Sequence, residues 1–268
     1  MANFHSRSNS FPSQSNPVMD DVQDQLCRLK SSMNPSTSAN SISANLASLT
    51  DLHQGITNLI QMPSIQQSLS KEEGESWMNE LLEESIRLMD LCGFTREVVC
   101  LTKESVQDLE SSIRRSRGET ATSDHINAYM ASRKKINKMV KKCLRNFKSS
   151  NQNATERDGD LMALLKETES LDFSVLKSVL AILCGEKERS SQRSWSFLSK
   201  ITQTNRVYSE EDLCSLNINK SEKSMAANDV LKQLNSSEMM IHELEEGVES
   251  LFRSLVKTRV SLLNVLSH

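Results

Sequence analysis

The stretch IHELEEGVESLFRSLVKTRVSLLNVL, residues 241–266, carries the most regular apolar pattern in the chain. Its apolar side chains recur every three or four residues over nearly four heptads, at Ile241, Leu244, Val248, Leu251, Leu255, Leu262 and Leu266. This spacing places them on one side of an α-helix. Such a seam can pair with another chain as a coiled coil, or it can pack inside a bundle formed by its own chain.

Similar patterns upstream favour the bundle. Apolar residues at helical spacing predict further long helices at about 43–62, 75–115, 124–148 and 160–184. No segment shows the alternation of a β-strand, and the 7 glycines and 4 prolines are too few for a turn-rich sheet protein. We therefore predict an all-α fold, an elongated bundle of several long amphipathic helices.

The composition also suggests how the chain is divided. Residues 1–42 are rich in serine and predict a mostly disordered leader with a short helix near 17–30. Residues 43–268 are expected to form the helical bundle, interrupted by a polar flexible insert near 204–224.

Several features argue against secretion and against a membrane-spanning protein. The first residues lack the apolar core of a secretory signal, and no run of about 18 apolar residues could span a bilayer. The six cysteines are scattered without a CxxC or Cys/His cluster, which favours a reducing compartment and argues against zinc. We expect an intracellular protein, cytoplasmic with peripheral membrane association as an alternative.

No enzymatic motif stands out. The 5 histidines do not pair at a spacing of three or four residues, and the chain lacks a glycine-rich phosphate loop. We assign no catalytic, cofactor-binding or metal-binding residue, and we expect neither a cofactor nor an enzymatic activity.

The segment RKKINKMVKKCLRNFK, residues 133–148, is strongly basic on one side of its predicted helix. Its cations are Arg133, Lys134, Lys135, Lys138, Lys141, Lys142, Arg145 and Lys148, and it contains no acidic residue. A basic amphipathic helix can bind an anionic membrane or calmodulin. It can equally be the outer face of a bundle helix whose charges are balanced by acidic neighbours such as residues 71–84. Nucleic acid is a weaker alternative, because no aromatic residues for base stacking are interleaved with the charges.

The leader contains a short pattern that resembles a phosphorylation-dependent docking site. In FHSRSNSFPS, residues 4–13, Arg7 lies three residues before Ser10, and Ser8 and Pro12 flank that serine. A phosphoserine in an extended segment can bind the arginine cluster of a 14-3-3-type protein. The alternatives are a plain disordered leader and a plastid transit peptide, since no acidic residue precedes Asp20.

Both ends of the chain, together with internal segments, resemble the plant BYPASS-like family. The matching stretches are FHSRSNSFPSQSNP at the start, QLCRLKSS (25–32), LTDLHQGITNLIQMP (49–63), WMNELLEESIRLMDLCG (77–93), VQDLESSIRRSRG (106–118) and LFRSLVKTRVSLLNVLSH (251–268). The resemblance implies a helical, non-enzymatic regulatory or adaptor protein that acts in root and shoot development through protein–protein interaction. It implies no catalytic residues.

Overall fold

A computed structural model describes residues 16–33, 38–69, 72–115, 119–147, 160–184 and 220–267. These residues form helices and no strands. The helices are α1 (Pro17–Ser32), α2 (Ala39–Ile60), α3 (Pro63–Leu69), α4 (Glu72–Arg115), α5 (Glu119–Asn146), α6 (Asp160–Cys184) and α7 (Lys220–Leu266). The all-α prediction is confirmed. Of the predicted polar insert, residues 204–219 lie outside the described residues, whereas residues 220–224 belong to α7.

The first two helices begin with side-chain caps that satisfy their free backbone N–H groups. The Asn16 side chain accepts a hydrogen bond from the Val18 N–H at 3.1 Å, and Pro17 occupies the first turn of α1. Ser38 and Ser41 exchange side-chain and backbone hydrogen bonds in a capping box at the start of α2.

Helices α4 and α7 form the long axis of the bundle. With 44 and 47 residues they extend about 66 and 70 Å at 1.5 Å per residue. They run antiparallel, because Lys103 and Arg96 of α4 bind Glu245 and Glu249 of α7, both at 2.6 Å. None of the helices in the described part of the chain is apolar over a length sufficient to cross a membrane.

The remaining helices pack around this pair. Helix α2 lies along α7, α6 contacts both α2 and α4, α5 packs on α4 and α6, and α1 packs on α2 and α6. The core consists mainly of leucine, isoleucine and valine from all of these helices. Helix α1 belongs to this core, because Val22, Leu26 and Leu29 are at most 3% exposed.

The heptad seam of α7 is buried within the chain itself. Ile241, Leu244, Val248 and Leu251 have no exposed surface, while Leu266 at the end of the helix is 37% exposed. The seam therefore packs against the chain's own helices, as the pattern of neighbouring helices indicated.

Helices α4 and α5 each differ locally from what their sequences suggest. Helix α4 continues through Gly93 without a break, although glycine is a poor helix former. Helix α5 begins at Glu119, directly after Gly118, rather than at about 124.

Candidate functional site

A group of polar side chains is buried where α2, α6 and α7 meet, and we call it the polar cluster: His53, Thr57, Asp172 and Thr258. The His53 Nε2–H donates to Asp172 Oδ2 at 2.8 Å, and the His53 Nδ1 atom lies 3.2 Å from the Thr258 hydroxyl. The Thr57 hydroxyl donates to the His53 carbonyl at 2.8 Å, and the single Thr258 hydroxyl proton can be donated to His53 Nδ1 or to the Ser254 carbonyl, which lies 3.1 Å away. The cluster thus joins three helices through hydrogen bonds.

The electrostatics of the cluster are dominated by burial. Asp172 has no exposed surface, and removal from water raises the pKa of its carboxyl group, while His53 opposes that rise. Its second oxygen, Oδ1, has no hydrogen-bond partner among the described residues. Asp172 therefore depends on His53 for its polar contact, and removal of either side chain would leave the other without its partner.

A cavity of about 50 Å³ lies beside the cluster and is bordered by Glu169 and Arg259. Burial raises the pKa of Glu169 to about 8, with the Glu84 and Asp172 carboxylates adding to the rise and Arg87 opposing it. At neutral pH this carboxyl group accordingly holds a proton. Arg259 donates to the Leu82 carbonyl and to the Ser85 hydroxyl, which ties α7 to α4 at the same level.

The order hydroxyl, imidazole, carboxylate in Thr258, His53 and Asp172 matches the residue types of a hydrolytic triad. These side chains are nonetheless closed to a substrate, since each residue is at most 8% exposed. The adjoining cavity is too small for anything larger than a few water molecules. The arrangement fits an interior crosslink between helices better than an active site.

The described residues also contain no group of three or more His, Cys, Asp or Glu side chains that could hold a metal ion. On the surface of α7, Glu245 lies 3.5 Å from His242 Nδ1 and Glu246 lies 3.5 Å from His242 Nε2, so the two carboxylates flank opposite sides of the ring and do not converge on one metal position.

The second candidate surface lies on α5, and we call it the basic face: Lys134, Lys135, Lys138, Lys141, Lys142 and Arg145. All of these residues are exposed. Arg133 is partly buried and donates to the Leu183 carbonyl, so it ties α5 to α6 instead. Lys148 lies outside the described residues.

The opposite side of α5 is occupied by packing. Ile136 and Val140 are 2% and 1% exposed, and Met139, Cys143, Leu144 and Phe147 are partly buried. The Phe147 ring packs on Phe173 of α6 with the ring centroids 6.5 Å apart. The apolar face of α5 is thus already covered by α4 and α6.

The leader residues singled out from the sequence, Arg7, Ser8, Ser10 and Pro12, lie outside the described residues. The polar cluster, by contrast, was not predicted as a site. In the sequence His53 falls on the same helical stripe as Leu46, Leu49, Ile56 and Ile60, which predicts that it faces the interior but not what it contacts there. One signal was present, because Asp172 shares a heptad position with Leu165 and Val179, so a carboxylate occurs where the pattern calls for an apolar residue.

A comparison with protein families relates the chain to a known group. A family model described as Protein BPS1 matches residues 45–265, from the second turn of α2 to the last turn of α7. No curated protein and no solved structure matches the chain. The family match agrees with the resemblance seen in the sequence, and the chain belongs to the BPS1, or BYPASS-like, family.

Proposed function

We propose that this protein is a non-enzymatic regulatory or adaptor protein of the plant cell interior, which takes part in root and shoot development through protein–protein interaction. Membership of the BPS1 family supports this role. The observation that carries the proposal is the burial of the arrangement that, among the described residues, resembles a catalytic group. Thr258, His53 and Asp172 are enclosed between helices, where they stabilise the bundle and offer no route to a substrate.

A pair of substitutions at Thr258 tests the non-enzymatic role. Thr258→Val removes the hydroxyl and keeps the branched shape, whereas Thr258→Ser keeps the hydroxyl. We expect both variants to restore growth in a plant that lacks the protein, provided that both accumulate as folded protein. Restoration by the serine variant alone, at equal protein levels, would show that the hydroxyl does chemistry and would contradict the proposal.

The leader supplies a specific partner hypothesis, which rests on sequence alone. Phosphorylation of Ser10 adds about two negative charges and three strong acceptor oxygens next to Arg7, and such groups bind arginine clusters. We expect the full chain phosphorylated at Ser10 to bind a 14-3-3 protein, and the Ser10→Ala variant treated with the same kinase to lose that binding. Equal binding of the two forms would reject the hypothesis.

A further inference from the structure

Three lysines of the basic face, Lys134, Lys138 and Lys142, point away from the packed side of α5 and are exposed, so a use for them must be sought outside the chain. Between His125 and Phe147 the sequence contains no acidic residue, and the exposed cations repeat at Lys134, Lys138 and Lys142, one turn apart. Within the described residues these three lysines form no ion pair and no side-chain hydrogen bond. No acidic side chain in the described ranges therefore pairs with them.

The surface continues beyond α5. Phe173 of α6, which packs on Phe147, also lies under the Lys177 ammonium group, 5.9 Å from the centre of its ring. Lys177 thus adds a cation on the neighbouring helix. The cations of the basic face extend along α5 from Lys134 to Arg145, about 17 Å at 1.5 Å per residue, which suits an extended anionic partner better than a single small anion.

The packing of α5 limits how this surface can bind. Ile136 and Val140 are buried against the bundle, and a helix that inserts into a lipid bilayer or is wrapped by calmodulin must expose such residues. Either mode would require α5 to leave α4 and α6, and the hydrogen bond from Arg133 to Leu183 would break. The folded chain can instead use the charges alone, by lying on a surface without unfolding.

We propose that the basic face, extended by Lys177, binds the surface of an anionic membrane electrostatically, with α5 remaining packed in the bundle. This inference rests on the proposed function, because it names a surface at which a non-enzymatic adaptor would work. A membrane fits better than a nucleic acid, since no aromatic side chain lies among the exposed cations to stack on bases.

Sedimentation of the full-length protein with lipid vesicles tests the proposal. We expect binding to vesicles of phosphatidylcholine mixed with phosphatidylserine, no binding to pure phosphatidylcholine, and loss of binding in high salt, where charges are screened within a few ångströms. Each lysine near an anionic surface contributes roughly fivefold in partition, so the triple variant Lys134→Gln, Lys138→Gln, Lys142→Gln should bind about 100-fold more weakly.

A matched control carries the same change in net charge elsewhere. Arg28, Arg115 and Lys257 are exposed cations on α1, α4 and α7, and their joint replacement by glutamine should leave vesicle binding within a factor of a few of the wild type. Equal weakening by the two triple variants would overturn the proposal, because net charge and not the basic face would then govern binding.

Hydrogen–deuterium exchange of α5 tests the mode of binding. We expect its amides to stay protected when vesicles are added, and loss of protection would overturn docking of the folded helix. Failure of the wild-type protein to sediment with anionic vesicles, or binding to calcium-loaded calmodulin in place of vesicles, would also overturn it. These outcomes leave the adaptor role standing, since that role is tested separately by the Thr258 variants.

Discussion

His53 and Asp172 form a buried pair whose contributions to the free energy of unfolding should be strongly coupled. Both are buried, and a buried charged or polar group that loses its partner typically costs about 3–5 kcal/mol. We expect His53→Leu and Asp172→Leu each to lower the free energy of unfolding by about that amount. The double variant should lose much less than the sum, because no polar group is then left alone. Urea unfolding of the four proteins measures this coupling, and strictly additive losses would contradict it.

Glu169 should make the stability of the bundle depend on pH. Its pKa rises from 4.5 to about 8 in the folded protein, so between these values the folded state holds a proton that the unfolded chain has released. The stability that the folded protein gains from protonated Glu169 is therefore fully present below pH 4.5, and it is lost as the pH rises to about 8.

The variant Glu169→Gln isolates this effect, because glutamine resembles the protonated acid at every pH. We expect it to gain stability relative to the wild type as the pH rises to about 8, with little difference near the ordinary carboxyl value of 4.5. Glu83→Gln, at an exposed position on α4, removes the same charge from the surface and should leave the pH profile of unfolding close to that of the wild type. Parallel profiles for the wild type and Glu169→Gln would contradict the burial of the Glu169 carboxyl group.

The polar cluster also shows what periodicity reveals at the scale of single residues. The apolar stripe of α2 correctly indicated that His53 faces the interior. It gave no indication of what His53 would meet there, because Asp172 and Thr258 lie 119 and 205 residues away and approach only when three helices pack. A helical pattern specifies a face, and the partner of that face is set by tertiary packing.

At the scale of whole helices, two glycines on α4 and α7 provide opposite tests. A Cβ atom at Gly93 would meet nothing within 4 Å, whereas one at Gly247 would lie 2.9 Å from Leu46 Cδ1 and 3.2 Å from Leu46 Cβ. Leu46 has no exposed surface and cannot move freely. Gly247 thus permits the close approach of α7 to α2, while Gly93 has no such role.

Replacement of these two glycines by alanine should accordingly change the free energy of unfolding in opposite directions. Gly93→Ala should raise the free energy of unfolding by up to about 1 kcal/mol, because alanine favours the helix and its Cβ atom clashes with no neighbour. Gly247→Ala gains the same helical preference but forces α2 and α7 apart, so we expect a net loss. Thermal unfolding of both variants checks the pair, and stabilisation by Gly247→Ala would contradict the close packing.

The long amphipathic helices were predictable because their apolar spacing persists for many turns. The residues at which these helices begin and end were less predictable. Helix α5 was expected to start near Asp124, since aspartate is a favoured first cap, yet the helix starts at Glu119 immediately after the glycine. A single favoured cap residue does not fix where a helix begins, because residues before it can also adopt helical backbone.

At the scale of the molecule, the seam in residues 241–266 decides whether the fold needs a second chain. Its spacing suits a coiled coil and an internal bundle equally, and the choice depends on whether α2 and α4 can cover it. They do, since Val248 and Leu251 have no exposed surface in the single chain. Among the described residues, the buried part of the seam is therefore covered by the chain's own helices.

Replacement of Leu251 by alanine tests this coverage. The change removes a fully buried side chain, so we expect the free energy of unfolding to fall by about 2–5 kcal/mol. If the seam packs only within its own chain, the thermal midpoints of the wild type and of Leu251→Ala should not change with protein concentration. Leu263→Ala, at a position that is 40% exposed on the same helix, serves as the control and should cost far less. A midpoint that rises with concentration in the wild type, and a loss of that dependence in Leu251→Ala, would place the seam between two chains instead.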